Sequence, residues 1–533
     1  MASESTFDRR DFLRRGLKIG TFAAGAVVAS ALLEGCGNQT APATSTTSTT
    51  SATLGPPTLS GWSALGRSLD GTLVLPSNAA YGVDRLLYNS KFVDLRPQAI
   101  AYCASTDDVA RCVDFATSHV IEVAARSGGH SYGGYSNCNG LVIDVSRMAS
   151  ISVDAGSNTA IIGSGAQLID VYNVLGSRNR LLPGGSCPTV GIAGLTLGGG
   201  VGVFGRKYGL TCDNLRSIGM VTADAKYVVA DAQNYPDLLW ASQGGGGGNF
   251  GVATSFEFAV HSMPEISLFT LQYPWPVAAT MLAAWQEWIG SMPDELWSNC
   301  QLLSQGTSGY LAQVSGVFCG SQASLSGLLS SLVSAIGATP SGNFQGSNDY
   351  IAAMEIEAGC SGLSIASCHL PSQNPDGRLS RSAYSAKSSY VDGPMTPAQV
   401  ALMVEAVVNL KDHAPTVGGG LAFDGYGGAI NRVASDQTAF VHREKLAGIQ
   451  ATYSWSSDTP PSVIAAGEQW LTWLGTNVFD PLTGAYQNYI DPTLSNWQAA
   501  YYGSNLAQLV KVKNKYDPED VFSFAQSIPL SLD

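Results

Sequence analysis

The chain has 533 residues, of which 45 % are apolar and only 13 % charged, so it can bury a large core and is not a disordered tail. Lys+Arg 28 against Asp+Glu 41 leaves a net charge of −13, which argues against an electrostatically driven nucleic-acid binder. No apolar run long enough to span a bilayer follows residue 36, so a multi-span membrane protein is excluded.

The first 36 residues read as an address. Arg9-Arg10-Asp11-Phe12-Leu13-Arg14 precedes a small, apolar stretch from Ile19 to Leu33, the pattern of a twin-arginine export signal. Leu33-Glu34-Gly35-Cys36 is similar to a lipobox, which would place a lipid anchor on Cys36 and the protein in the cell envelope or outside the cell. Residues 37–60 are rich in Ser, Thr and Pro and read as a flexible tether.

Asp107 to Ala116 has helical spacing with an acidic start, between strand-like runs such as Ile121–Ala125 and Leu141–Val145. Ile218–Val221 and Tyr227–Ala230 flank Asp224-Ala225-Lys226 and predict a strand–turn–strand. Beyond Pro264, helical segments at Ala278–Ile289 and Pro397–Leu410 alternate with strand-like Tyr310–Phe318 and Gly448–Tyr453. Leu506–Tyr516 predicts a last helix before Asp517-Pro518. The expected division is a first domain over 61–263, a second over 264–485, and a segment over 486–533 that returns to the first.

Three glycine-rich loops carry the chemistry. Arg126-Ser127-Gly128-Gly129-His130-Ser131 follows a strand, and consecutive glycines let backbone N–H groups converge on an anion. The second runs from Pro183 through Cys187, Val190, Gly191 and Gly194 to Gly199, Gly200 and Gly202. Gly200, Gly202 and Gly205 spell G-x-G-x-x-G with Asp224 beyond, but a dinucleotide site of that kind needs a strand directly before it, and here a glycine loop precedes it. The third loop is Gly244 to Gly248, then Asn249, Phe250, Gly251 and Val252, read as an ordered turn. The cysteines fit no zinc pattern, and no metal is expected. Cys103 with Cys112 and Cys360 with Cys368 are either disulfides or buried thiols.

Together these loops resemble the berberine bridge enzyme-like family of the vanillyl-alcohol-oxidase/PCMH flavoprotein superfamily. The resemblance extends to Leu239-Trp240-Ala241, Tyr486-Gln487-Asn488-Tyr489, Tyr501-Tyr502-Gly503-Ser504-Asn505 and Tyr516-Asp517-Pro518. It implies an α+β fold: a PCMH-type FAD-binding domain of two α/β subdomains completed by the C-terminus, and a substrate domain with an antiparallel sheet covered by helices. It implies FAD bound covalently through His130 and through Cys187, whose attack as a thiolate asks the loop to lower its pKa. Arg126, Ser127, Gly128, Gly129, Ser131, Gly191, Gly194, Gly199, Gly200, Gly248, Asn249, Gly251, Val252 and Asn488 are the expected cofactor-binding residues.

The resemblance also implies an oxidase. Val190 lies where the family gates oxygen, and valine there goes with hydrogen peroxide as product; a dehydrogenase using another acceptor is the competing reading. Tyr486 is the expected base for the substrate hydroxyl, with flavin N5 taking the hydride. Asp424 is expected to polarise Tyr486 by a hydrogen bond, Tyr426 to substitute in that role, Gln450 to point towards the flavin, and His442 and Arg443 to be structural. The expected substrate is a small-molecule alcohol or sugar. A secondary-metabolite tailoring oxidase is the runner-up, and a non-catalytic binding lipoprotein is the reading from a different class.

Overall fold

The computed structural model describes residues 55–532 apart from residues 155, 480 and 481. The export signal, Cys36 and most of the tether lie outside the described residues.

The first layer is a four-stranded sheet of β1 (Thr72–Val74), β2 (Ala99–Tyr102), β3 (Val123–Arg126) and β4 (Leu141–Asp144), in the order β1-β2-β4-β3. Strands β2, β4 and β3 run parallel, as the intervening helix Thr106–His119 requires. That helix starts where Ser105 accepts a hydrogen bond from Asp108 N, and it ends at Val120 in the left-handed conformation. The β4 residues are all buried, as expected of a central parallel strand covered on both faces.

The next strands are β5 (Ile151–Asp154), β6 (Thr159–Gly163), β7 (Arg180–Leu181), β8 (Leu215–Val221), β9 (Tyr227–Ala230) and β10 (Val252–Ala259). A second sheet runs β5-β6-β10-β8-β9, antiparallel throughout. Strand β7 pairs instead with β11 (His261–Ser262). Asp224 occupies the β8–β9 turn, where it binds Thr222 and Lys226. The G-x-G-x-x-G string is therefore no dinucleotide fingerprint: its last glycine opens a four-residue helix, and its acid closes a hairpin.

A seven-stranded antiparallel sheet forms the second half. It contains β12 (Ile266–Tyr273), β13 (Leu296–Gln305), β14 (Tyr310–Phe318), β15 (Gly342–Asn348), β16 (Ala383–Val391), β17 (Gly418–Gly425) and β18 (Ala447–Trp455), in the order β15-β12-β14-β13-β17-β18-β16. One face lies under the helices Ala278–Ser291, Gln322–Ile336, Pro397–His413 and Pro461–Leu474, and Cys300, Leu302, Leu421, Phe423, Ile449 and Ala451 point into that core. Side chains alternate along a strand, so the intervening Asn299, Gln301, Ala422, Asp424 and Gln450 are left on the opposite face.

The C-terminus closes the first half. Helix Leu506–Tyr516 packs on helix Pro236–Ser242, and Lys513 Nζ donates to Asn249 O at 3.1 Å, deep in the interior. Ile528 N donates to Asn249 Oδ1 at 2.9 Å. All nine described cysteines are thiols, with the side chains of Cys103 and Cys112, and of Cys360 and Cys368, in hydrogen-bond contact.

Candidate active site

A cavity of about 760 Å³ runs between the glycine loops and the free face of the seven-stranded sheet. That lies in the upper part of the about 300–1,000 Å³ range of small-molecule and cofactor sites. Its floor is backbone. Arg126 ends β3, and the chain then turns through Ser127, Gly128 and Gly129 to His130. Gly128 and Gly191 press together so closely that a Cβ on Gly128 would sit 2.3 Å from Gly191 N, and one on Gly191 would sit 2.0 Å from Ser127 Oγ. The two loops can share this floor only without side chains.

His130 and Cys187 both line the cavity. His130 stacks on Tyr88 with ring centroids 4.0 Å apart, and its Nε2 meets Thr189 Oγ1 at 2.8 Å. Burial lowers the His130 pKa to about 3, so the ring is neutral, and the Thr189 bond leaves Nδ1 as the available nitrogen. Cys187 opens towards the cavity, yet the surrounding protein pushes its thiol up. The expected lowering by the loop is not found: desolvation raises the thiol, and no cation among the described residues offsets it.

Arg126 is buried and ion-paired through Nε to Asp144, and its Nη1 has no protein partner. A buried guanidinium N–H left open in a cavity floored by backbone suits an anionic or carbonyl-bearing ligand such as a flavin dinucleotide. Ser127, Ser131, Gly194, Gly248, Gly251, Val252 and Asn488 line the same cavity.

Three expected cofactor residues lie elsewhere. Asn249 is fully buried, accepts from Ile528 N and donates to Gly245 O, so it ties the third loop to the C-terminal segment. Gly199 packs under Phe440, where a Cβ would come within 2.7 Å of the ring. Gly200 has φ +88°, and a Cβ there would strike Thr211; its N–H serves Tyr486 rather than the cavity itself.

Tyr486 is the best-prepared group of the site. Its phenol oxygen accepts from Gly200 N at 3.0 Å, Val201 N at 3.2 Å and Asn488 Nδ2 at 3.0 Å. Three N–H donors on one oxygen suit a phenolate, which only accepts. Burial pushes the phenol up to about 12, and these donors pull in the opposite direction.

Asp424 does not bond to Tyr486. It stands opposite Asn299 across the β13–β17 ladder and accepts from Asn299 Nδ2 at 2.6 Å, while burial raises its carboxyl to about 6. Tyr426, just past the end of β17, does not line the main cavity; its oxygen meets Tyr390 Oη at 3.3 Å, and it lines a small adjoining pocket with Asp424, Tyr486 and Tyr489. Gln450 does line it, with Nε2 donating to Tyr132 Oη at 2.8 Å. Tyr132 in turn stacks on Tyr489. Val190 lies on the cavity wall beside Cys187. His442 stacks on Tyr390, and Arg443 is buried in an ion pair with Asp213, outside the cavity. Trp297, Asn299, Gln301, Ser315 and Glu357, which no motif in the sequence marks, also line it.

A glycine-floored cradle completed by the C-terminus, facing a helix-backed antiparallel sheet, defines an FAD-binding α+β oxidoreductase. The FAD binding domain family matches residues 97–231, and the berberine and berberine-like family matches residues 485–529. The FAD-linked oxidoreductase YgaK of Bacillus subtilis is 32 % identical, covering 86 % of this chain and 97 % of that one. The glucooligosaccharide oxidase of Sarocladium strictum is 30 % identical, covering 84 % of this chain and 90 % of that one. Among solved structures, the Physcomitrella patens BBE-like 1 protein superposes with a TM-score of 0.79 at 29 % identity, covering 89 % of this chain and all of that one. The chain belongs to the berberine bridge enzyme-like family of FAD-linked oxidoreductases.

Proposed function

We propose that the protein is an oxidase that holds FAD through two covalent bonds, from His130 and Cys187, and oxidises a hydroxyl group of a carbohydrate with release of hydrogen peroxide. The observation that carries this reading is Tyr486, a tyrosine whose oxygen collects three N–H donors in the cavity that also holds His130 and Cys187. Bound FAD supplies the hydride acceptor and passes the electrons to oxygen.

The chain's own residues handle the proton and the substrate. Tyr486 takes the hydroxyl proton as the carbinol hydrogen leaves as hydride, giving a carbonyl, or a lactone from an anomeric carbon. Gly200, Val201 and Asn488 hold the phenolate character that develops on the oxygen. The Tyr486 pKa of about 12 makes the phenol the resting form, so kcat/KM rises with pH through the alkaline range. Asp424, ionised above about pH 6, presents an acceptor for a neighbouring substrate hydroxyl. Among the relatives, the glucooligosaccharide oxidase supports a sugar as substrate. Val190, beside Cys187 on the cavity wall, supports oxygen as acceptor.

The twin-arginine leader and Cys36 extend the proposal to an enzyme exported in folded form and tethered by lipid outside the cytoplasm. The test is peroxide release from a panel of mono- and oligosaccharides, with dye reduction run in parallel. Turnover with peroxide supports the reading. Dye reduction without peroxide overturns the oxidase assignment, and no turnover on any sugar overturns the substrate class.

A further inference from the structure

Glu357 stands in the cavity against every local preference of its position. It is the last residue of helix Tyr350–Glu357, where the helix dipole disfavours a negative charge. The other end of that helix is fixed: Asp349 accepts from Ala352 N at 2.8 Å, and Tyr350 is buried against Tyr172 and Phe204. The anchored helix thus delivers Glu357 to the wall occupied by Asp424, and burial beside that second carboxylate raises Glu357 to about 7.

The wall around the two carboxyls is unfinished. Asn299 spends its Nδ2 on Asp424, and its Oδ1, on a side chain more than nine-tenths buried, has no partner. Trp297, equally buried on the same strand, has an indole N–H with no partner. Among the described residues, the groups lining this cavity include no lysine. Its one arginine, Arg126, is ion-paired to Asp144 in the cofactor cradle, and its remaining acid, Glu122, accepts from Asn139 N beside that cradle. Gln301 and Ser315 add neutral donors and acceptors.

We infer that Glu357, Asp424 and Asn299 recognise an ammonium group, and that the substrate is a carbohydrate carrying a free amine. Such a ligand offers the positive charge that two adjacent carboxyls lack, N–H donors for Asn299 Oδ1, and hydroxyl oxygens for the Trp297 indole. The Trp297 ring adds a surface on which a cation gains further attraction. A uronic acid would meet two carboxyls and no compensating cation. This inference rests on the carbohydrate-oxidase reading above.

The test uses the flavin-loaded enzyme at pH 7 with three oligosaccharides of equal length: glucosamine, glucose and uronic-acid oligomers. The expected order of kcat/KM is amine, then neutral, then acid, with the amine at least tenfold above the neutral sugar. Glu357→Gln should cut the amine-to-neutral ratio tenfold or more with an unchanged flavin spectrum, and should weaken glucosamine-oligomer binding by titration calorimetry by a similar factor. Equal or better turnover of the neutral sugar, or a Glu357→Gln loss shared evenly by both substrates, overturns the inference while leaving the oxidase reading intact. No turnover of any sugar overturns both.

Discussion

The two sides of the cavity are built by different means. The cradle side is backbone: Gly128 and Gly191 meet within a distance that no side chain permits, and Arg126 reaches in from the end of a buried parallel strand. The sheet side is side chain: Asn299, Asp424 and Gln450 hang from β13, β17 and β18. A backbone-built surface fixes one ligand, whereas a side-chain-built one sets which substrate is accepted. Tyr486 belongs to both, since its oxygen is held by Gly200 and Val201 of the cradle while its backbone N–H donates to Ser388 of the sheet.

Substitutions can separate the two sides. Tyr486→Phe removes the proton acceptor and keeps the ring packed against Phe440 and Tyr489. Loss of a positioned acid–base group costs about 10²–10⁴ in rate, so kcat should fall by that range while the flavin spectrum stays that of the parent. Asp424→Asn acts on the sheet side alone. Hydrogen bonds to charged groups contribute about 1.5–3 kcal/mol, so kcat/KM should fall about 10- to 100-fold, again with flavin retained. Gly191→Ala acts on the cradle alone. Its Cβ would sit 2.0 Å from Ser127 Oγ, and overpacking of this kind costs about 1–3 kcal/mol. Thermal unfolding should report that loss together with reduced flavin content, and the molecules that do load flavin should keep the parent's substrate preference. A Gly191→Ala variant with altered substrate preference and full flavin would break the division.

The smallest effect concerns pH. Asp424 and Glu357 hold protons more tightly folded than unfolded, at about 6 and about 7. The folded state therefore binds the extra protons, and stability declines as pH rises from the usual carboxylate range through 7. Glu357→Gln removes its share of that decline, so its melting temperature relative to the parent should be higher at pH 8 than at pH 4.

How much could be read in advance follows the same division. The Arg126–Ser131 and Pro183–Gly202 stretches announce themselves because a backbone cradle needs contiguous glycines, here Gly128-Gly129, Gly184-Gly185 and Gly198-Gly199-Gly200, and contiguity is visible in a string. Asn249 was misread for the same reason: it sits inside a glycine loop, but its amide turns away to hold Ile528 and Gly245. Tyr426 lies one residue past the end of β17 at Gly425, and it reaches Asp424 and Tyr486 through a small pocket beside the main cavity. Asn299, Trp297 and Glu357 come from a strand and a helix far apart in the chain, and only the β13–β17 register brings Asn299 opposite Asp424. The major helices were legible from their spacing, with ends off by up to three residues at Thr106–His119 and Pro397–His413.

The central claim is that His130 and Cys187 both bond the flavin, and intact mass with visible absorbance after acid denaturation tests it most directly. The expected result is a yellow denatured chain heavier by one FAD, one remaining bond in each of His130→Ala and Cys187→Ala, and release of the flavin only from the double variant. A yellow native protein whose denatured chain is colourless and carries no added mass would contradict it.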